Sequence, residues 1–168
     1  PFSLNRFQFF EMDAGKMTFQ NQSFDGAFLC WILEHVPHPL QVLAEVKRVL
    51  NPGSIVYATE VMNSSFFLDP YSPNVWKYWM AFNEYQLDQK GDPFVGAKLG
   101  NFFLQLGYSD IRTEIKTWYL DNRTSQARKD CIEYWTDLLM SASESLVNEK
   151  YVSQEIVEGM KAEMATVA

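Results

Sequence analysis

The chain has 168 residues, 47% of them hydrophobic and 15% aromatic, with 14 Lys+Arg against 21 Asp+Glu and a formal charge of −7. That length and apolar share suit one domain with a packed core and exclude intrinsic disorder, while the acidic balance argues against wholesale binding to nucleic acid or an anionic membrane. Cys30 and Cys131 are too few for a disulfide scaffold or a four-cysteine zinc site, and the longest apolar run, Ala27 to Leu33, falls far short of the ~20 residues of a membrane-spanning helix. With no secretory signal at its head the chain reads as cytoplasmic, and Pro1 in place of Met reads as a processed chain or a piece of something longer.

The first element is expected at Arg6–Glu11, where polar and aromatic residues alternate with the period of a strand. Asp13, Ala14 and Gly15 follow it, and a polar loop runs through Gln20 to Ser23. Phe24 to Trp31 is a continuous apolar run, which suits a parallel strand covered on both faces. From Leu40 to Leu50 the apolar residues Leu40, Leu43, Val46, Val49 and Leu50 recur at three and four, the stripe of an amphipathic helix. Asn51-Pro52-Gly53 stops that helix, and Ser54 to Val61 is the next strand. Strand, helix and strand joined by short turns make a βαβ unit and an α/β fold.

The composition then becomes aromatic, with Pro70 and Pro73 marking a loop before a helix over about residues 74–88. A helix at Ala97–Leu106 stops at Gly107, and Ile111–Leu120 alternates as a strand. Two helices, over about 125–147 and 153–164, close the chain.

Three stretches carry a family resemblance. They are Phe10-Glu11-Met12-Asp13-Ala14, then Ser23-Phe24-Asp25-Gly26-Ala27 through Leu33-Glu34-His35-Val36, then Arg48-Val49-Leu50-Asn51-Pro52-Gly53. In this order and spacing they resemble the middle motifs of the class I S-adenosylmethionine-dependent methyltransferases. There an acidic–Ala pair ends the third strand, a Phe-Asp opens the fourth, and an Arg-Val-Leu-x-Pro-Gly-Gly segment precedes the fifth. The resemblance implies S-adenosyl-L-methionine as cofactor. Asp13 would accept from the adenine amine, Met12 and Ala14 would line the adenine site, and Cys30 and Trp31 would lie beside the sulfonium. His35, just past the strand, is the candidate base for an acceptor hydroxyl or ammonium, with a capping role as its alternative. His38 lies three residues on, but Pro37 between the two histidines breaks the spacing a metal pair would use, so no metal site is expected.

Two departures qualify the resemblance. The family's Gly-rich turn after its first strand is absent from the sequence, as is the acidic residue that ends its second strand. Only five residues precede Arg6, where two βα units would take roughly 60–80. The expectation is therefore a partial Rossmann-like methyltransferase sheet with an added helical cap, lacking the first two strands and the last. Residues 1–61 would be the second half of the cofactor core, 62–107 an aromatic lid or cap insertion, 108–121 a strand and 122–168 a helical cap. In the family order 3-2-1-4-5-7-6 only strands 4 and 5 would keep a neighbour, unless the outer strands re-pair beside them.

Trp76, Trp79 and Phe82 fall near one face of the 74–88 helix and are candidate substrate contacts, suited to an apolar or aromatic small-molecule acceptor. The alternative is that the stripe is core packing of an added helix. No basic patch interleaves these aromatics, which disfavours RNA or DNA. The leading expectation is methyl transfer to a small molecule, with this chain alone inactive. Its rival is a catalytically inactive methyltransferase-like binding or regulatory module. A short-chain dehydrogenase is disfavoured, because Tyr78 and Tyr85 lack a Lys four residues on.

Overall fold

A computed structural model of the chain describes residues 7–168. Two parallel strands, β1 (Phe24–Cys30) and β2 (Leu50–Thr59), are joined by the helix α1 (Pro39–Val49). Then come α2 (Pro73–Asp88), α3 (Leu99–Gln105), α4 (Ser125–Met140), α5 (Ser143–Asn148) and α6 (Gln154–Val167). It is an α/β arrangement with a small parallel sheet and six helices among the described residues.

The βαβ unit forms as its patterning dictates. The α1 stripe buries Val42, Leu43, Val46 and Val49, and Leu29 and Leu33 meet it from the strand side. Register runs Gly26↔Ile55 through Cys30↔Thr59, but Phe24 pairs Leu50, so Asn51–Ser54 are looped out of the ladder. Gly53 makes that excursion with φ +82, a conformation only glycine adopts without strain. The sheet is covered on one face only: Ala27, Leu29, Val56 and Ala58 turn toward α1, while Phe28 and Tyr57 stack on the other face with centroids 5.5 Å apart and stay exposed. The two-face cover expected of the Phe24–Trp31 run is thus absent among the described residues.

Two further expectations are corrected. Residues 7–11 form no strand, and Ile111–Leu120 pairs with no strand either; Arg6 lies outside the described residues. Alternation sets which way side chains point, but a strand exists only where its N–H and C=O groups meet a partner. The long helix expected over 125–147 is broken after Met140, where the Ser141 and Ser143 hydroxyls donate back to the Leu138 and Met140 carbonyls, at 2.6 and 2.7 Å, in place of helical continuity.

A second core lies wholly among helices. Val75, Tyr78 and Trp79 of α2 pack on Leu139, Leu146, Met160 and Met164 from α4, α5 and α6. The Tyr78 hydroxyl donates to the Leu139 carbonyl, and burial pushes its pKa up to about 12. Glu163 of α6 caps α2 from outside, its carboxylate accepting from the Asn74 and Val75 amides at 2.8 and 2.9 Å. By contrast α3 packs with the sheet through Leu99, Phe102, Phe103 and Leu106, so the 62–107 stretch divides between the two cores.

Candidate functional site

The loop that carries Asp13 is held against α1 by three side chains of that helix, Arg48, Glu45 and Gln41. Arg48 donates to the Phe19 carbonyl (2.9 Å), the Met17 carbonyl (2.9 Å) and Asn21 Oδ1 (2.8 Å), and forms a two-point pair with Glu45. Glu45 in turn accepts from the Met17 amide at 3.0 Å. The Arg48 hydrogen bond holds the Glu45 carboxyl below its ordinary range. Within the loop, Asp13 Oδ1 accepts from the Gly15 amide at 2.8 Å, and Gln41 donates to the Gly15 carbonyl at 3.0 Å. The Asp13 carboxylate is left exposed, between half-buried Met12 and Ala14.

Cys30 and Trp31 sit at the carboxyl end of β1, both exposed. Trp31 has φ +51, an unusual position for a bulky side chain, and its amide donates to the Thr59 carbonyl at 3.0 Å. A short 3-10 turn at Leu33–His35 follows, with Leu33 fully buried beneath it. The His35 side chain is 63% exposed and its Nε2 lies 3.5 Å from the Glu34 carboxylate. Glu34 is buried, its carbonyl accepting from the Asp92 amide at 2.8 Å and from Gln86 Nε2 at 3.3 Å.

Residues 91–96 form a strap across this edge. The Gly96 amide donates to the Val61 carbonyl at 3.2 Å, and the Asn63 amide donates to the Pro93 carbonyl at 3.3 Å. A side chain at Gly91 would put a Cβ 2.6 Å from the Glu34 carbonyl oxygen, and one at Gly96 would collide with that of Val61. The strap and a buried amide network bind the two cores together: Asn63 donates to Asn83 (2.8 Å), and Trp79 Nε1 donates to the Asn63 carbonyl (2.9 Å).

Of the aromatic candidates, Trp79 is 2% exposed, stacked on Phe82 at 5.8 Å and edge-on to Trp135. Trp76 is partly exposed and lies over Phe67, at 6.4 Å. A broad open concavity of about 2850 Å³ runs between the uncovered sheet face and the 109–122 segment. Trp31, Tyr57, Glu60, Trp79 and Trp118 line it; Asp13, Cys30, His35, Trp76 and Phe82 lie outside that lining. The candidates therefore occupy one edge of the sheet and the adjoining helix without closing into a single pocket. No helix among the described residues is long and apolar enough to cross a membrane.

Sequence reasoning missed Glu60. Its Oε1 accepts from the Ile32 and Leu33 amides at 3.1 and 2.9 Å, while Oε2 is buried with no partner among the described residues. Burial pushes the carboxyl above its ordinary range, against the lowering effect of the Leu33, Ile32 and Glu34 amides. A carboxylate at a strand end following a βαβ unit was the only available signal.

Residues 2–58 match the model of a family described as a methyltransferase domain. No curated protein matches the chain. Among solved structures it is similar to phosphoethanolamine N-methyltransferase 2 of Haemonchus contortus, in complex with phosphomonomethylethanolamine and S-adenosylhomocysteine. That similarity has 18% identity and a TM-score of 0.46 and covers 92% of this chain; the chain spans 32% of that protein. The methyltransferase-domain match thus covers residues 2–58 of the 168, the stretch that holds the Asp13 loop, β1 and α1 and most of β2.

Proposed function

We propose that the chain contributes the second half of a cofactor core, and a helical cap, to an enzyme that transfers a methyl group from S-adenosylmethionine to a small molecule. The observation that carries this reading is the pairing of the methyltransferase match at 2–58 with the Asp13 loop, which presents an exposed carboxylate braced by Glu45 and Arg48. An exposed acceptor at that point fits a ligand with an exocyclic amine, and half-buried Met12 and Ala14 beside it fit a flat ring.

When bound, the cofactor supplies a methyl group on a good leaving group, so the protein's task is positioning more than acid chemistry. Asp13 would hold the adenine amine, and Cys30 and Trp31 would flank the reacting end. His35 would take the proton of an acceptor hydroxyl or ammonium, with Glu34 at 3.5 Å to stabilise the imidazolium. Trp76 and Phe82 would meet an apolar or aromatic acceptor, with Trp79 behind them as support. The sequence holds no Gly-rich turn for the ribose and methionine ends, so these groups need residues from elsewhere. The uncovered sheet face with Phe28 and Tyr57 supports the same reading, since such a sheet has room for a further layer.

The test is calorimetric titration with S-adenosylhomocysteine of the chain alone and of the chain extended upstream by a Gly-rich βα segment. The isolated chain should show no measurable binding. The extended protein should bind, and Asp13→Ala in it should weaken binding about tenfold, the size of one lost hydrogen bond to a charged group. Tight binding by the isolated chain would defeat the shared-site reading. No binding by the extended protein, or indifference to Asp13→Ala, would defeat the assignment of the loop. The same uncovered face favours a second reading, an inactive methyltransferase-like module that docks a partner there; binding of S-adenosylhomocysteine without turnover would favour it.

A further inference from the structure

The backbone beyond β1 makes an unusual turn. Trp31 is in the left-handed region with φ +51, and Ile32 follows in the right-handed one, with φ −113 and ψ −36. That succession turns neighbouring N–H groups to one side and builds a small concavity suited to an anion. Here the anion is internal. Glu60 follows the last residue of β2, whose Thr59 pairs with Cys30, so its side chain reaches across the strand ends to take both the Ile32 and Leu33 amides on one oxygen. The Trp31 amide is already held by the Thr59 carbonyl, and the His35 amide closes the turn by donating to the Ile32 carbonyl at 3.1 Å. Three successive amides after β1 are thus fixed by β2 and the residue after it.

The charged neighbour of Glu60 at this turn is Glu34, whose like charge repels it rather than pairing with it. From the other side Gln86 and the Asp92 amide hold the Glu34 carbonyl, leaving the Trp31 and His35 side chains exposed on either side of a braced backbone. A half-buried carboxylate with one enclosed, unpartnered oxygen is an expensive way to cap a three-residue turn, and a hydroxyl or a water would satisfy two amides with less desolvation. What Glu60 adds is an acceptor oxygen delivered from the end of β2, which takes two amides of a strained backbone at once and ties the turn to the neighbouring strand.

We propose that Glu60 is a positioning residue, whose carboxylate fills the amide concavity after β1 and thereby fixes where Trp31 and His35 stand at the carboxyl edge of the parallel strands. What those two side chains are positioned for rests on the methyl-transfer reading; the positioning itself does not.

The experiment follows amide exchange and side-chain resonances by NMR in the 168-residue chain without cofactor, comparing wild type, Glu60→Ala and Glu60→Gln. In Glu60→Ala the Ile32 and Leu33 amides should lose protection at least tenfold, and the Trp31 indole and His35 imidazole resonances should move. The α1 amides of Val42, Leu43 and Val46 should keep theirs. Sodium formate, which offers the same acceptor oxygens, should return the Trp31 and His35 resonances toward wild type, and sodium chloride should not. Glu60→Gln keeps an acceptor oxygen and should leave both side chains in place. Unchanged Ile32 and Leu33 amides in Glu60→Ala would overturn the proposal, as would a folded Glu60→Ala that formate does not restore. If Glu60→Ala does not fold, Glu60→Gln decides: displaced Trp31 and His35 resonances overturn it, wild-type ones support it. Because no cofactor is present, failure here is distinct from failure of the S-adenosylhomocysteine titration.

Discussion

The sheet half and the helical half of this molecule solve the burial problem differently. Around α2, α4, α5 and α6 the large side chains turn inward: Tyr78, Leu139, Leu146, Met160 and Met164 are fully enclosed. Around β1, α1, β2 and α3 only one face of the sheet is closed, and Phe28, Ile55 and Tyr57 remain in solvent on the other. A helix can bury its stripe against two or three others and be satisfied, whereas a parallel sheet has two faces to cover and edges to pair. The helical half is therefore close to self-sufficient, whereas the sheet half leaves one face open among the described residues.

The sharpest test of that contrast is one truncation on each side. Trp79→Ala removes a ring that is 2% exposed, together with its hydrogen bond to the Asn63 carbonyl, and should destabilise the chain by about 3–5 kcal/mol. Ile55→Ala removes a side chain that is 76% exposed and should stay within about 0.5 kcal/mol. Urea denaturation of the two variants measures both. A cost for Ile55→Ala approaching that of Trp79→Ala would mean that the open face is covered in solution.

The junction between the halves comes next in size. The strap at 91–96 touches the backbone of the sheet half so closely that Gly96→Ala must push it away from the Val61 carbonyl, at a cost of about 1–3 kcal/mol. Amide exchange should show the loss in protection first at Gly96 and Asn63, which donate across the junction. Loss confined to α3 would place the strain elsewhere.

How much of this was legible in the sequence divides along similar lines. The helix expected at Leu40–Leu50 is α1 at Pro39–Val49, and the one expected at 74–88 is α2 at Pro73–Asp88, because a helix carries its hydrogen bonds and its stripe within itself. Phe24–Trp31 and Ser54–Val61 formed strands because the α1 crossover brings them side by side. Residues 7–11 and 111–120 alternate equally well but meet no partner among the described residues, and periodicity cannot say whether a partner is there. The same limit applies to the site. The sequence marks Asp13, Cys30 and His35 by motif, but the carboxylate of Glu60 matters through contacts 27 and 28 residues away, which no local pattern encodes. Trp79 shows the converse: an aromatic at lid spacing whose ring is stacked into the core.

A smaller effect tests the helical half's independence. Glu163 satisfies the Asn74 and Val75 amides at the start of α2 from a helix 88 and 89 residues later in the chain. Glu163→Ala should cost about 1 kcal/mol, the usual size of a lost N-terminal cap, and should lower protection at Asn74 and Val75 without touching the α1 amides. Loss of protection in α1 as well would mean that the two cores unfold as one unit.

The smallest expected effect is a slope rather than a midpoint, and it separates the halves by pH. Burial raises the Glu60 carboxyl above its ordinary value of 4.5, so the folded chain favours the protonated form more than the unfolded chain does. Stability contributed by this group is then greatest below 4.5 and declines as pH rises from there through the higher folded value, levelling off beyond it. Glu60→Gln has no proton to lose and should abolish that decline, so the difference in urea midpoint between wild type and variant should change across the mildly acidic range. In the helical half the corresponding group is Tyr78, whose pKa of about 12 against an ordinary 10 puts its decline entirely on the alkaline side. Tyr78→Phe should therefore leave the acidic slope untouched. An acidic slope that survives in Glu60→Gln would assign it to another carboxyl.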